Sequence, residues 1–430
     1  MGGWLVFILL LLTVILAACV TISFEPVSRR LDAVPYYART YLNKALPKPA
    51  LPTPLPVSEI DAETLLEART NTGAKLESGP VAGQTGEAMS AGPDEPSQTQ
   101  PSGVSGVRLV SSSVTEISPI APSIALTGFT HEWQTWNNCG PATVSMNLSY
   151  YRQGDTQVEA AQFLKPNQDD KNVNPDELVA YARSAGFDGV SGYGGDIDLL
   201  EHLLSNGFPV IVESWTKPED QGGMGHYRLL TGYSQASNQF LTYDSLHGPD
   251  VPLPIDELDR FWRVFNRTYV VIFPPEQAPL VYALLGPRAD RMAMTEKALL
   301  TAQDEARANP ADPFAWFNMG TNYARLGEAA RAASAFDEAR RLGLPYRMLW
   351  YQFDIFQTYL AMGRYQEVID LTTATLRATG GLEELYYYRG LARQATNQLA
   401  AAAEDFQAAL KYNPNFELAA EALQKLGPVD

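Results

Sequence analysis

The chain has 430 residues, too many for one ordinary core, so two or more domains are expected. A formal net charge of −17 argues against a nucleic-acid binder, which needs a basic face, and against attachment to anionic lipid by charge. With two cysteines in the whole chain, no disulfide framework is implied.

Trp4 to Ile22 is an uncharged run, apolar apart from Thr13 and Thr21, and about as long as the ~20 residues that cross a bilayer core. Residues 1–24 are therefore expected to tether the chain to a membrane. Leu16-Ala17-Ala18-Cys19 resembles a bacterial lipobox, which makes Cys19 a lipidation candidate; an uncleaved transmembrane anchor is the alternative. The first three residues lack the Lys or Arg of a signal peptide, and Arg29, Arg30, Arg39, Lys44 and Lys48 follow the span, so each reading has a residue pattern against it. The expected location is a bacterial cell membrane, with the globular part outside the cytoplasm. Residues 25–123 are rich in Pro, Ser, Thr and Gly, bury little, and read as a disordered spacer with a short helix at Asp61–Ala68.

Residues 124–278 read as one α+β domain. A helix follows Gly140 and Pro141, and a second, capped at Asp155, runs to Leu164. Asn174-Pro175-Asp176-Glu177 opens a third helix that stops at Gly186; a fourth spans Asp198–Ser205 and closes at Gly207. Strands are expected at Phe208–Trp215, at His226–Tyr233 and Phe240–Asp244 as a hairpin, and at Tyr269–Phe273.

The chemistry gathers on Gln134-Thr-Trp-Asn-Asn-Cys139-Gly-Pro-Ala. A thiol at a helix N-terminus meets unpaired backbone N–H groups and the positive end of the helix dipole, which favours the nucleophilic thiolate. His226 and Asp244 sit at facing ends of the hairpin, where a carboxylate can orient an imidazole. Packed against that sheet edge, Cys139 completes a nucleophile, base and orienter, and Gln134 can donate to a developing oxyanion beside the Cys139 N–H.

Gln134, Cys139-Gly140-Pro141-Ala142, Gly225-His226-Tyr227 and Thr242-Tyr243-Asp244 together resemble the papain-like cysteine peptidases of the bacteriocin-processing, double-glycine-leader type, and more closely their stand-alone peptidase C39-like relatives in bacteria. The resemblance covers about Phe129–Pro275. It implies a helical lobe bearing the cysteine packed on an antiparallel sheet, with Cys139 as nucleophile, His226 as general base, Asp244 as orienting acid and Gln134 as oxyanion donor. The chain departs from the transporter-borne members: it has no Gly-x-x-x-x-Gly-Lys-Ser/Thr phosphate loop.

Three other histidines compete with His226. His202 falls mid-helix, His131 lies before the thiol, and His247, three past Asp244, is the serious rival. No His, Cys and Asp spacing suits a metal, and no cofactor is expected. Asp169-Asp170 and Asp196/Asp198 read as loop and cap residues, and Gly222-Gly223-Met-Gly225 as a flexible loop before His226.

Residues 288–427 turn to Ala, Leu, Arg and Glu with helical periodicity. Trp316, Gly320, Gly327, Phe336 and Ala339 recur in a later unit as Tyr386, Gly390, Asn397, Phe406 and Ala409, and Tyr323 and Gly327 recur as Tyr359 and Gly363 in a looser unit with Phe356 between. The pattern resembles tetratricopeptide repeats, whose period is ~34 residues, with a small insertion after the first unit. Met294–Ala308 resembles half of an earlier unit and Asn415–Leu426 a capping helix. Trp350, Tyr351, Phe353, Phe356 and Tyr359 read as packing.

The expectation is a multidomain, membrane-tethered cysteine peptidase whose all-α solenoid recruits a peptide or protein substrate or partner. A non-catalytic papain-like scaffold and a thioester-forming transpeptidase are the alternatives.

Overall fold

The computed structural model describes residues 51–54, 60, 62–66, 117–167, 170–216 and 223–427. The expected membrane segment with Cys19, and most of the spacer, lie outside the described residues. Among the described residues no helix is long and apolar enough to cross a membrane.

The spacer contributes structure where it is described. A short helix α1 (Ala62–Leu66) is packed into the C-terminal helices, with Leu65 buried in their core. Its Leu65 carbonyl accepts from Tyr323 Oη at 2.7 Å and from Gln303 Nε2 at 3.0 Å, and the Pro52 carbonyl accepts from Arg340 Nη2 at 2.7 Å. These stretches are therefore docked: a short helix was expected within the spacer, and what departs from the expectation is its packing on the C-terminal helices. Satisfied carbonyls and one well-placed leucine suffice to hold a short segment on a surface that is already folded.

The first domain begins with β1 (Ser123–Ala125) and the helices α2 (Cys139–Tyr150), α3 (Gln157–Leu164) and α4 (Pro175–Ser184). Then come β2 (Asp188–Gly192), α5 (Ile197–Ser205), β3 (Val210–Thr216), β4 (Met224–Ser234), β5 (Gln239–Asp244), β6 (Gly248–Pro254), α6 (Ile255–Trp262) and β7 (Tyr269–Phe273). The strands form one antiparallel sheet in the order β2-β7-β3-β4-β5-β6, with β1 paired to the far end of β4. Alternation along β3, β4 and β7 divides the core. Ile211, Leu229, Val270 and Ile272 face α2 and α4, while Val210, Leu230, Val271 and Phe273 face α5 and α6.

Several details differ from the sequence expectation, among them β1 and α6, which were not expected. The cap of α3 is Thr156, not Asp155, because Glu159 stands three residues on and accepts the Thr156 N–H at 2.9 Å in a capping box. Asp155 instead accepts from Tyr181 Oη at 3.1 Å. The edge strands β2 and β6 were not expected; β6 carries Pro249, Pro252 and Pro254, which a sheet edge tolerates and which hide the strand pattern.

After α7 (Ala278–Leu285) and α8 (Arg291–Ala308), antiparallel helix pairs follow: α9 (Pro313–Arg325) with α10 (Ala329–Arg341), α11 (Asp354–Ala361) with α12 (Tyr365–Thr379), and α13 (Glu383–Ala395) with α14 (Leu399–Tyr412). The helix α15 (Glu417–Leu426) ends the stack. The first and third pairs share one close contact. A Cβ on Gly320 would stand 2.6 Å from the Phe336 ring, and one on Gly390 would stand 2.5 Å from the Phe406 ring. The insertion after the first pair forms a 3₁₀ turn at Tyr346–Trp350.

The first helix of a pair faces the sheet domain. Asn318 Nδ2 donates to the Arg263 carbonyl at 2.7 Å, Asn266 and Asn322 exchange amide hydrogen bonds at 2.8 and 3.3 Å, and Asn172 Nδ2 donates to Glu384 Oε1 at 2.9 Å. Trp215 and Phe265 join the apolar cluster of the helices. Of the expected packing stripe, Phe356 and Tyr359 are fully buried among the helices, whereas Tyr351 lies against Trp215 and Phe265 of the sheet domain.

Candidate active site

Cys139 is the first residue of α2, the helix at the centre of one sheet face. The loop before it is held from α3. Gln157 Oε1 accepts the Thr135 N–H at 2.8 Å, and Gln157 Nε2 donates to the Trp133 carbonyl at 2.8 Å. Lys165 Nζ donates to the Asn137 carbonyl at 2.9 Å and to Asn138 Oδ1 at 3.1 Å. Asn137 adopts a left-handed conformation at φ 55°, the turn that delivers the chain to the helix. Gly140 lets α2 approach closely: a Cβ there would meet Val173 at 3.2 Å and the Tyr227 ring at 3.6 Å.

His226 and Asp244 are both buried, at 2 % exposure each. His226 Nε2 is 2.9 Å from Asp244 Oδ1, which leaves Nδ1 as the ring nitrogen for the Cys139 thiol, to which His226 is hydrogen-bonded. The two residues, expected nearly opposite each other, are not directly paired: the turn that pairs Ser234 with Gln239 would by itself set Asp244 against Leu229. A bulge between Leu230 and Gly232 shifts the register so that Leu229 pairs with Tyr243. Continued by one residue, that register sets Arg228 against Asp244 and His226 two residues further along.

The carboxylate serves both strand neighbours. Arg228 Nε donates to Asp244 Oδ2 at 3.0 Å, and the Leu246 N–H donates to Oδ1 at 2.8 Å. His247 Nδ1 lies 2.9 Å from Oδ2, and His131 Nε2 lies 3.0 Å from the Asp244 backbone carbonyl. Two rival histidines are thus drawn to the same aspartate, His247 from the solvent side. Arg228 was missed from sequence, although its signal was present: it stands two residues from His226, on the same face of the strand.

Gln134 is tied to the residue after the aspartate. Its N–H donates to the Ser245 carbonyl at 3.0 Å, and Ser245 Oγ donates to Gln134 Oε1 at 2.7 Å. With the amide oxygen so occupied, Nε2 is the end of the side chain left to donate.

The electrostatics follow from this arrangement. Burial alone would raise the Cys139 thiol; the His226 hydrogen bond and charge, the Tyr227 N–H and the Lys165 charge outweigh it and hold the thiol below its ordinary value. Burial would lower His226, but the charge and hydrogen bond of Asp244, then those of Cys139, push it up to about 9. Asp244 is held well below the usual carboxylate range, against its burial, by His226, His247 and Arg228. The opposed shifts of thiol and imidazole favour a thiolate–imidazolium pair near neutral pH. Among the described residues no group of three or more His, Cys, Asp or Glu is placed to hold a metal ion.

None of the curated proteins compared matches the chain. Solved structures similar to parts of it include a putative C39-like peptidase from Bacillus anthracis, 17 % identical, covering 35 % of this chain and 96 % of that one at a TM-score of 0.29. A double glycine motif protease from an AMS/PCAT transporter, in complex with the leader peptide, is 21 % identical and covers 35 % and 94 % at 0.27. MamA residues 41–end from Desulfovibrio magneticus RS-1 is 25 % identical and covers 35 % and 93 % at 0.27. Residues 126–270, the stretch that carries the thiol, the imidazole and the carboxylate, match the Peptidase C39 like family.

Proposed function

We propose that the chain is a cysteine peptidase acting through Cys139, His226 and Asp244. The observation that carries this reading is the 2.9 Å bond from His226 Nε2 to Asp244, with the thiol on the other side of the ring. The Cys139 thiolate attacks the scissile carbonyl carbon. The oxyanion takes hydrogen bonds from Gln134 Nε2 and from the Cys139 N–H, one of the first-turn donors without an intrahelical acceptor. His226 passes its proton to the departing amine, leaving a thioester on Cys139. It then takes a proton from water, whose oxygen attacks the thioester, and returns that proton to the thiol as the acid leaves. Asp244 stays ionised throughout and fixes the ring.

In this proposal residues 1–24 tether the enzyme to a bacterial membrane, and the helix pairs are tetratricopeptide repeats. The repeated Gly–Phe contact at 320/336 and 390/406 supports the repeat reading. Because the first helices pack on the sheet domain, recruitment of a protein partner falls to the outer surface of the stack.

Labelling with a thiol-directed peptidyl electrophile tests the enzyme reading. Cys139 is expected to react far faster than free cysteine, and His226→Ala to abolish that advantage. Reaction at the rate of free cysteine, unchanged in His226→Ala, would leave a non-catalytic scaffold as the better description.

A further inference from the structure

Glu213 stands where the core pattern calls for an apolar side chain. On β3, residues 211, 213 and 215 share the face covered by α2, and Ile211 and Trp215 on either side of Glu213 are buried. Their partners on β4 are Leu229, Tyr227 and Gly225. Glu213 itself is 8 % exposed. Among the described residues no hydrogen bond or ion pair reaches its carboxyl, and the charge it feels is that of Cys139. Burial, and then that charge, push the carboxyl well above the usual carboxylate range.

The C-terminal helices close this corner. Tyr351 packs over Gly225, where a Cβ would come within 3.1 Å of its ring, and its ring meets those of Trp215 and Phe265 edge-on at 6.4 and 5.7 Å. The Tyr351 hydroxyl lies by the Gly225 backbone N–H and within electrostatic range of both Cys139 and Glu213. A carboxyl beside the thiol is thus ringed by Trp215, Tyr227 and Tyr351.

We propose that Glu213, walled by Trp215, Tyr227 and Tyr351, forms a substrate subsite for a cationic group: a Lys or Arg side chain, or a free α-amine. An unpaired carboxyl in a core stripe costs stability and is retained only where something offsets it. A cation supplies the missing partner, and faces of aromatic rings attract the same charge. The chain's net charge of −17 draws basic peptides toward the cleft. The helices have a part in this, since Tyr351 is theirs: they complete the cleft as well as stacking beside it. The inference rests on the peptidase reading for its use, but its test does not.

Peptide binding to the full-length Cys139→Ala chain, read by calorimetry, needs no turnover. Blocked alanine peptides with one Lys scanned through each position are compared with norleucine counterparts, and with norleucine peptides bearing a free α-amine. One cationic arm is expected to bind about tenfold tighter than the neutral peptides, and the arm that does so assigns the source of the charge. Adding Glu213→Gln should erase the difference. Glu213→Met, which removes a buried carboxyl, should melt no lower than the parent, excluding a collapse of the fold. Equal affinities, absence of measurable binding, or a cationic advantage that survives Glu213→Gln each overturn the subsite. Selective binding without hydrolysis by the unmutated chain strikes the peptidase reading alone.

Discussion

Ser245 Oγ donates to Gln134 Oε1 at 2.7 Å, and that bond determines which end of the Gln134 amide can serve the site. Because Ser245 follows Asp244, one short turn orients the imidazole through the carboxylate and the amide through the hydroxyl. Removing Gln134 as Gln134→Ala is expected to lower kcat by about 10²–10³, the usual effect of losing one oxyanion donor. Ser245→Ala keeps the donor but frees its rotation, so a smaller fall in kcat with KM nearly unchanged is expected. Steady-state kinetics on a fluorogenic peptide distinguish the two; equal losses would mean that Ser245 acts otherwise.

Asp244 raises His226, and the His226 hydrogen bond and charge in turn lower the thiol. With the thiol held low and His226 near 9, alkylation of Cys139 by iodoacetamide should stay fast at neutral pH and fall only as pH drops through the lowered thiol value. Asp244→Asn withdraws the charge that raises His226. The imidazolium then supports the thiolate less, and the limb of the alkylation profile moves to higher pH. A shift of one unit gives about a tenfold slower reaction on the acid side. An unmoved limb would show that Asp244 does not govern the pair.

The joint between sheet domain and helices gathers four carboxyls, Asp170 and Glu177 with Glu383 and Glu384 of α13. All four are raised, burial being the first cause in each, with Lys165 and Lys171 nearby. Glu177 is raised from 4.5 to about 7. The folded state therefore holds more protons than the unfolded chain between these values, and stability should decline as pH rises through that window. Glu384→Gln keeps the acceptor for Asn172 without the charge. It should raise the thermal midpoint by about 2–4 °C at pH 8 and change little at pH 5. A midpoint raised equally at both pH values would place the effect elsewhere.

Gly320→Ala puts a methyl group 2.6 Å from the Phe336 ring in the first helix pair. Overpacking of this kind costs about 1–3 kcal/mol, and denaturant unfolding should show it. Phe336→Leu in the same chain should recover part of the loss, because the two residues occupy one space. Additive losses would argue that the contact is not shared.

Much of this protein was legible residue by residue. The thiol at a helix start, the capping signal at Asn174–Glu177 and the hairpin strands are local patterns, set by steric and hydrogen-bond rules over a few residues. The recurrence of Gly320 and Phe336 as Gly390 and Phe406 was legible for a related reason, since repeats restate their own packing. Helix α3 shows the limit of local reading. Asp155 and Thr156 are both good caps, and the reach of Glu159 decided between them.

Other features depend on segments far apart in sequence. The bulge at Leu230/Gly232 moved the register by one residue and joined Arg228 to Asp244. Tyr351, 126 positions beyond Gly225 in number, packs over that glycine only because the helices fold back on the sheet. The sequence by itself determined the candidate groups: a thiol, an imidazole, a carboxylate and an amide, each set in a recognisable local frame. The tertiary structure alone decided what surrounds them, because burial and register are properties of packed neighbours. It placed Glu213 beside the thiol, with no partner for its carboxyl among the described residues, where its strand pattern asked for a hydrophobic residue.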